Sequence, residues 1–180
     1  MHGIRVLRHA ACSMMLASAF VTAQAFAQRS QNTLHNPPRT VLFIAGDVSR
    51  PVAIDIKLLR TMPRVQLNVT NGHTHSAESY SGVLLTSLLA RAGVPSGKDL
   101  HGKALSLYLV AIGSDGYKVV LSLAETDAFL HGSSTVIVAD TMNGKPLDAT
   151  SGPFKLVVSG DKYPARWVRN LVRINVVAAP

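Results

Sequence analysis

Between residues 104 and 177 lie five short apolar runs, ALSLYLVAI, YKVVLSL, STVIVAD, FKLVVS and VRINVV, each rich in Val, Ile or Leu and each bounded by turn-forming residues. Runs this short, β-branched and closely punctuated read as strands. The backbone N–H and C=O groups of a strand find partners only on neighbouring strands, so this half of the chain must build sheets.

The N-terminal half adds strands and the main helix. TVLFIAGDV (40–48) is a β-branched run closed by Gly46-Asp47, a strand followed by a turn. VAIDIKLLRTMP spaces Ile54, Leu58 and Met62 helically until Pro63 stops it, which predicts a strand end running into one or two helical turns. RVQLNVT alternates Val65, Leu67 and Val69 against Arg64, Gln66, Asn68 and Thr70, the period of a half-buried strand. SGVLLTSLLARAGV then puts Val83, Leu84, Ser87, Leu88 and Ala92 on one helical face, with Ser81 as the expected N-cap and Gly93 as the stop.

The connections carry their own signals. Asp115-Gly116 within Gly113-Ser114-Asp115-Gly116 predicts a hairpin, and Asn143-Gly144 a tight reversal. Ser122 stands three residues before Glu125, the spacing of a capping box that opens a short helix. No internal repeat is visible. Many short strands with two or three short helices predict an α+β fold built from mixed short-strand sheets.

Residues 1–27 follow another logic. Arg5 and Arg8 precede an apolar run and the small-residue end Ala25-Phe26-Ala27, the pattern of a secretory signal peptide. The run from Ala10 to Phe20 is shorter than the ~20 apolar residues a bilayer span needs, and the A-x-A end favours cleavage over an uncleaved anchor. The expected product begins near Gln28, does not span a membrane, and is periplasmic or secreted. Residues 28–39, QRSQNTLHNPPR, are polar and aperiodic and predict a disordered lead-in; residues 40–180 form the expected single domain.

Removing Arg5 and Arg8 from 18 basic residues leaves 16 against 10 acidic ones, a net charge of +6. That balance suits a small anionic ligand or an anionic envelope surface. Nucleic acid is not expected, because no basic run interleaved with aromatics is present. The single cysteine, Cys12, falls within the expected leader, so the mature chain offers neither a disulfide nor a thiolate. No Ser-His-Asp order, phosphate-cradling glycine loop or HExxH helix supports a hydrolase or nucleotide reading.

The ordered segments YSGVLLTSLLARAGV (80–94), SDGYKVVLSLAE (114–125), NGKPL (143–147), GPFKLVV (152–158) and RWVRNLVRI (166–174) together resemble the oxidoreductase molybdopterin-binding domain of the sulfite oxidase family. The resemblance runs from about Val41 to Val177. It implies a mixed α+β domain that holds a molybdenum pterin cofactor, with a cysteine on the metal just beyond the strand that precedes the helix. The corresponding residues here, Leu67–Asn71, contain no cysteine. The chain is similar to a short, exported branch of the family in which metal ligation is altered or lost.

The resemblance further implies a cleft with its mouth at the loop carrying Asn71 and His73. Lys155 stands where the family has an arginine, and Arg166 where a lysine precedes the tryptophan, so positive charge is kept with the residue types exchanged. Such a pair could hold a pterin phosphate or another small anion. Solvated charges flanking strands are the alternative for both. Tyr80 and Tyr117, each near a glycine, have both core and ligand-stacking readings; for Trp167 core is preferred. Asp115 has ligand-orienting and turn-forming readings. His73 and His75, at i and i+2, could face one ion, but two neutral ligands do not make a zinc site, and nothing in the spacing of Glu78, His101 or His131 forces a third. No metal site is therefore expected from them. The two functional classes left open are an oxidoreductase-like protein working with a redox partner, and a non-catalytic module binding a small anion or a protein partner.

Overall fold

The structure, a computed structural model, describes residues 40–132 and 134–180. The leader expected over 1–27 and the lead-in expected over 28–39 lie outside the described residues. Along the chain come β1 (Val41–Gly46), β2 (Val52–Asp55), α1 (Ile56–Arg60), β3 (Val65–Thr70), β4 (Ala77–Leu84), α2 (Leu85–Arg91), β5 (Leu107–Gly113), β6 (Lys118–Ser122), α3 (Ala128–His131), β7 (Val136–Met142), β8 (Lys145–Pro146), β9 (Lys155–Val158) and β10 (Leu171–Ala178).

Among the described residues ten strands form two sheets. One has the order β2-β1-β10-β5-β6; the other runs β3-β4-β7-β8, with β9 also paired to β7. Strands β1 and β10 are parallel, and the other pairs are antiparallel. With three short helices beside them among the described residues, this is the α+β architecture the sequence predicts.

Alternation decides which side chains enter the core. In β3, Val65, Leu67 and Val69 turn inward while Gln66, Asn68 and Thr70 are exposed; in β6, Val119 and Leu121 are buried between exposed Lys118, Val120 and Ser122. β7 differs, because Val136 to Asp140 are all buried, as expected of a strand covered on both faces. One cluster joins Ile44, Leu109 and Ile174 of the first sheet to Val83, Ile137 and Leu156 of the second. Each such side chain contributes about 1.5–3 kcal/mol on burial.

Local signals are realised with two adjustments. The Asp115-Gly116 turn joins β5 to β6, and Asn143-Gly144, both at positive φ, joins β7 to β8. The capping box forms reciprocally: the Ser122 N–H donates to Glu125 Oε1 (3.1 Å) and the Glu125 N–H to Ser122 Oγ (3.2 Å). It opens a 3-10 turn over Ala124–Thr126, whereas α3 is capped by Asp127, whose carboxylate accepts from the Phe129 N–H.

The expected helix start is corrected. Ser81 is not an N-cap; Ala77–Leu84 is strand, and the helix begins at Leu85 with no side-chain cap. β4 pairs with β3 on one side and β7 on the other, and these ladders outweigh local helix spacing. Ser81 Oγ instead accepts from Arg64. Between β4 and β7 the register shifts, with Ser81 opposite Thr141 and Gly82 opposite Ala139, so Asp140 is the unpaired residue of a bulge. Its carboxylate is engaged by Arg60 (3.0 Å) and Arg64. No helix among the described residues is long and apolar enough to cross a membrane.

Candidate functional site

A cleft of about 400 Å³ opens where the turn after β3, the β5–β6 hairpin and the segment leading into β10 meet. The first wall is built by Asn71. Its Oδ1 accepts from the N–H groups of His73 (2.9 Å) and Thr74 (3.4 Å), and its backbone carbonyl accepts from the His75 N–H (2.8 Å), so one residue folds the turn. The turn lies hard against the segment before β10: a Cβ on Gly72 would come within 2.3 Å of the Lys162 carbonyl oxygen, and the His73 and Tyr163 ring centroids are 5.5 Å apart. Only glycine allows that approach.

The hairpin supplies the second wall. Asp115 Oδ1 accepts from the Tyr117 N–H (2.9 Å), and the Tyr117 hydroxyl donates to the Ala165 carbonyl, tying the hairpin to the 3-10 turn Pro164–Arg166. Trp167 follows, 5 % exposed, its indole N–H donating to the Val158 carbonyl (2.9 Å). It therefore packs in the core and borders the cleft at once.

Lys155, the first residue of β9, reaches the cleft between two rings. Its Nζ lies 4.5 Å from the Tyr80 ring centroid and 5.4 Å from that of Trp167, and the two rings meet edge-on at 5.6 Å. The ammonium donates to Tyr80 Oη (2.6 Å), Tyr80 donates to Glu78 Oε2 (2.8 Å), and Asn71 Nδ2 donates to Glu78 Oε1 (2.9 Å). Burial pushes the lysine below its ordinary range, and Arg169 adds to this while Glu78 and Asp148 oppose it. Burial, followed by the hydrogen bond to Glu78, pushes the Tyr80 phenol well above its ordinary range. The phenol thus stays protonated and bridges a cation to a carboxylate.

Of the seven residues the sequence singles out, Asn71, His73, Asp115, Tyr117 and Lys155 line the cleft, and Tyr80 stands one hydrogen bond behind Lys155. Arg166 does not line the cleft. Its guanidinium is turned to Asp161 (2.6 and 3.1 Å) and Glu125 (3.0 Å). The second cation of the cleft is Arg169, exposed and without a hydrogen-bond or ion-pair partner among the described residues.

His75, at φ +55°, and His101 are not among the lining residues. Among the described residues no three His, Cys, Asp or Glu side chains gather as a metal-binding group. A second hollow of about 380 Å³ lies at Arg50, Pro51, Val52, Ala53 and Arg91, and none of the residues singled out above lines it.

Comparison with known proteins agrees with this architecture. In solved structures the fold is similar to that of the sulfane dehydrogenase SoxCD from Paracoccus pantotrophus, at a TM-score of 0.58 and 24 % identity, over 76 % of this chain and 38 % of that one. The chain thus spans well under half of that neighbour, and the likeness is one of fold. No curated protein matches. The family model described as the oxidoreductase molybdopterin binding domain matches residues 31–180, most of the sequence. With the mixed sheets and cleft in place, the chain belongs to the oxidoreductase molybdopterin-binding domain family.

Proposed function

We propose that this chain is an exported member of the family whose cleft holds a small anion, or the phosphate of a pterin, through Lys155 and Arg169, and that the protein's own ligand to molybdenum has been lost. The leader-like residues 1–27 support export. The observation that carries the anion reading is the placement of Lys155, half-buried between Tyr80 and Trp167, with Arg169, which has no side-chain partner among the described residues, lining the same cleft. Charge-assisted hydrogen bonds from two such donors favour an oxyanion, and the aromatic faces of Tyr117 and Trp167 suit a planar ring.

The donor set does not fit a molybdenum ligated by protein thiolate. Soft metals of this kind take sulfur, and Cys12 is the only cysteine in the sequence. Between 67 and 71, Leu67 and Val69 pack against the core and Asn68 and Thr70 face outward. Asn71 spends its amide on Glu78 and its oxygen on the turn. No reaction step is therefore assigned through a metal. A chain carrying pterin would work with a redox partner; a chain holding a bare anion would not need one.

The single tryptophan, Trp167, reports on the cleft directly. Titration with sulfate and with a phosphate-bearing pterin, followed by tryptophan fluorescence, should give saturable changes. Lys155→Ala and Arg169→Ala should each weaken binding at least tenfold, about the loss of one charge-assisted hydrogen bond. Wild-type affinity in both variants, with the fold intact, removes this reading.

A further inference from the structure

The cleft's lysine is held by a hydrogen-bond chain that runs in one direction. A carboxylate only accepts, and both Glu78 oxygens are occupied, one by Asn71 Nδ2 and one by the Tyr80 hydroxyl. Since Tyr80 has a single proton and gives it to Glu78, its oxygen can only accept from Lys155. That contact requires a donor at Nζ and leaves the remaining N–H groups of the ammonium for the cleft. The same carboxylate braces Asn71, whose side-chain oxygen folds the turn that brings His73 to the cleft.

We infer that Glu78 is the positioning residue of this cleft: without lining it, Glu78 orients the Tyr80 hydroxyl so that Lys155 is kept as a cation aimed at the bound anion. The inference rests on the anion reading above and adds to it the residue that sets the pH range of binding. The charged and titratable groups around Lys155 are Glu78 and Tyr80 of β4, Asp148 after β8, and Arg169 before β10; His73, Asp115 and Tyr117 line the same cleft. Of these, Arg169 favours the neutral amine, and Glu78 and Asp148 favour the ammonium. Glu78 is the carboxylate tied to Lys155 through a hydrogen-bonded group.

The consequence has a signature that simple structural support lacks. Anion binding should fail on the alkaline side as Lys155 loses its proton, below the pH at which an ordinary lysine does so. In Glu78→Gln the side-chain amide can donate to the Tyr80 oxygen, the hydroxyl can turn towards the amine, and the negative charge is gone. The neutral amine, which could already donate an N–H to that oxygen, can then also accept the hydroxyl proton, and the ammonium loses its advantage. With the lysine charged, removing the Glu78 carboxylate, two hydrogen bonds behind it, takes away a repulsion on the anion and strengthens binding. The variant should bind more tightly at neutral pH and lose the anion earlier as pH rises.

The test is a sulfate titration of full-length protein, read by Trp167 fluorescence from pH 6 to 11, because sulfate stays fully ionised across that range. Glu78→Gln is expected to bind a few-fold tighter at pH 7 and to move the alkaline limb down by about one pH unit. Tyr80→Phe, which keeps the ring, should move the limb in the same direction without the gain at pH 7, and Glu78→Asp should fall between wild type and Glu78→Gln. Circular dichroism and thermal melts identify any variant that fails to fold, in which case Tyr80→Phe carries the test. If Lys155→Ala abolishes binding but Glu78→Gln and Tyr80→Phe keep the wild-type limb, the positioning role is overturned and the anion site stands. If wild type binds no sulfate, or Lys155→Ala binds as well as wild type, the anion site itself is overturned.

Discussion

The ion-pair cluster at the Asp140 bulge gives a sharp prediction, because its three members differ greatly in exposure. The Asp140 side chain is 1 % exposed, while those of Arg60 and Arg64 are 52 % and 31 % exposed. Removing both guanidinium groups, as in Arg60→Ala with Arg64→Ala, leaves a buried carboxylate without a counter-charge. Breaking a buried pair from that side costs about 3–5 kcal/mol. Asp140→Asn works from the other side: two arginines return to water, and the cost is an amide with imperfect partners, about 1–2 kcal/mol. Urea denaturation should therefore rank the double arginine variant well below Asp140→Asn. For a domain of this size the double variant should lower Tm by roughly 10–20 °C. Equal losses, or a larger loss in Asp140→Asn, would refute the argument that the buried carboxylate is what the arginines compensate.

Three further outcomes follow from the same geometry. Arg166→Ala should leave sulfate affinity within about twofold of wild type, whereas Arg169→Ala weakens it; parallel fluorescence titrations check this, because Arg166 is occupied by Asp161 and Glu125. Gly82→Ala should cost about 3 kcal/mol in urea denaturation, since its Cβ would lie 2.1 Å from the Val138 carbonyl oxygen across the bulge. Ser122→Ala removes one half of the capping box and should cost about 1 kcal/mol, read by the same melts.

Most strands could be read from the chain because inside–outside alternation is a local property: Val65, Leu67 and Val69, or Val119 and Leu121, show their buried side without reference to anything distant. The junction at Ser81 could not. Its apolar spacing serves either a strand or a helix, and the choice is made by pairing with β3 and β7, whose residues lie far away in sequence. The cleft divides in the same way. Residue types at Asn71, Lys155 and Asp115 pointed to a polar, cationic site through family resemblance, and the fold brings all three to one cleft. The direction of an arginine was not legible, because Arg166 is claimed by Asp161 and by Glu125, the latter 41 residues away in sequence. Glu78 and Tyr80 share a strand face by their i, i+2 spacing, but nothing local to the strand distinguishes Glu78 from a spare metal ligand. Its role emerged only when Lys155 of another strand arrived on the same hydroxyl.

The central claim is that the cleft keeps its cations and has lost the protein's ligand to molybdenum. The measurement that tests it most directly is the molybdenum and pterin content, per chain, of protein purified from its native cells. Elemental analysis should find molybdenum far below one atom per chain in protein that still binds sulfate through Lys155. One molybdenum and one pterin per chain would contradict the account.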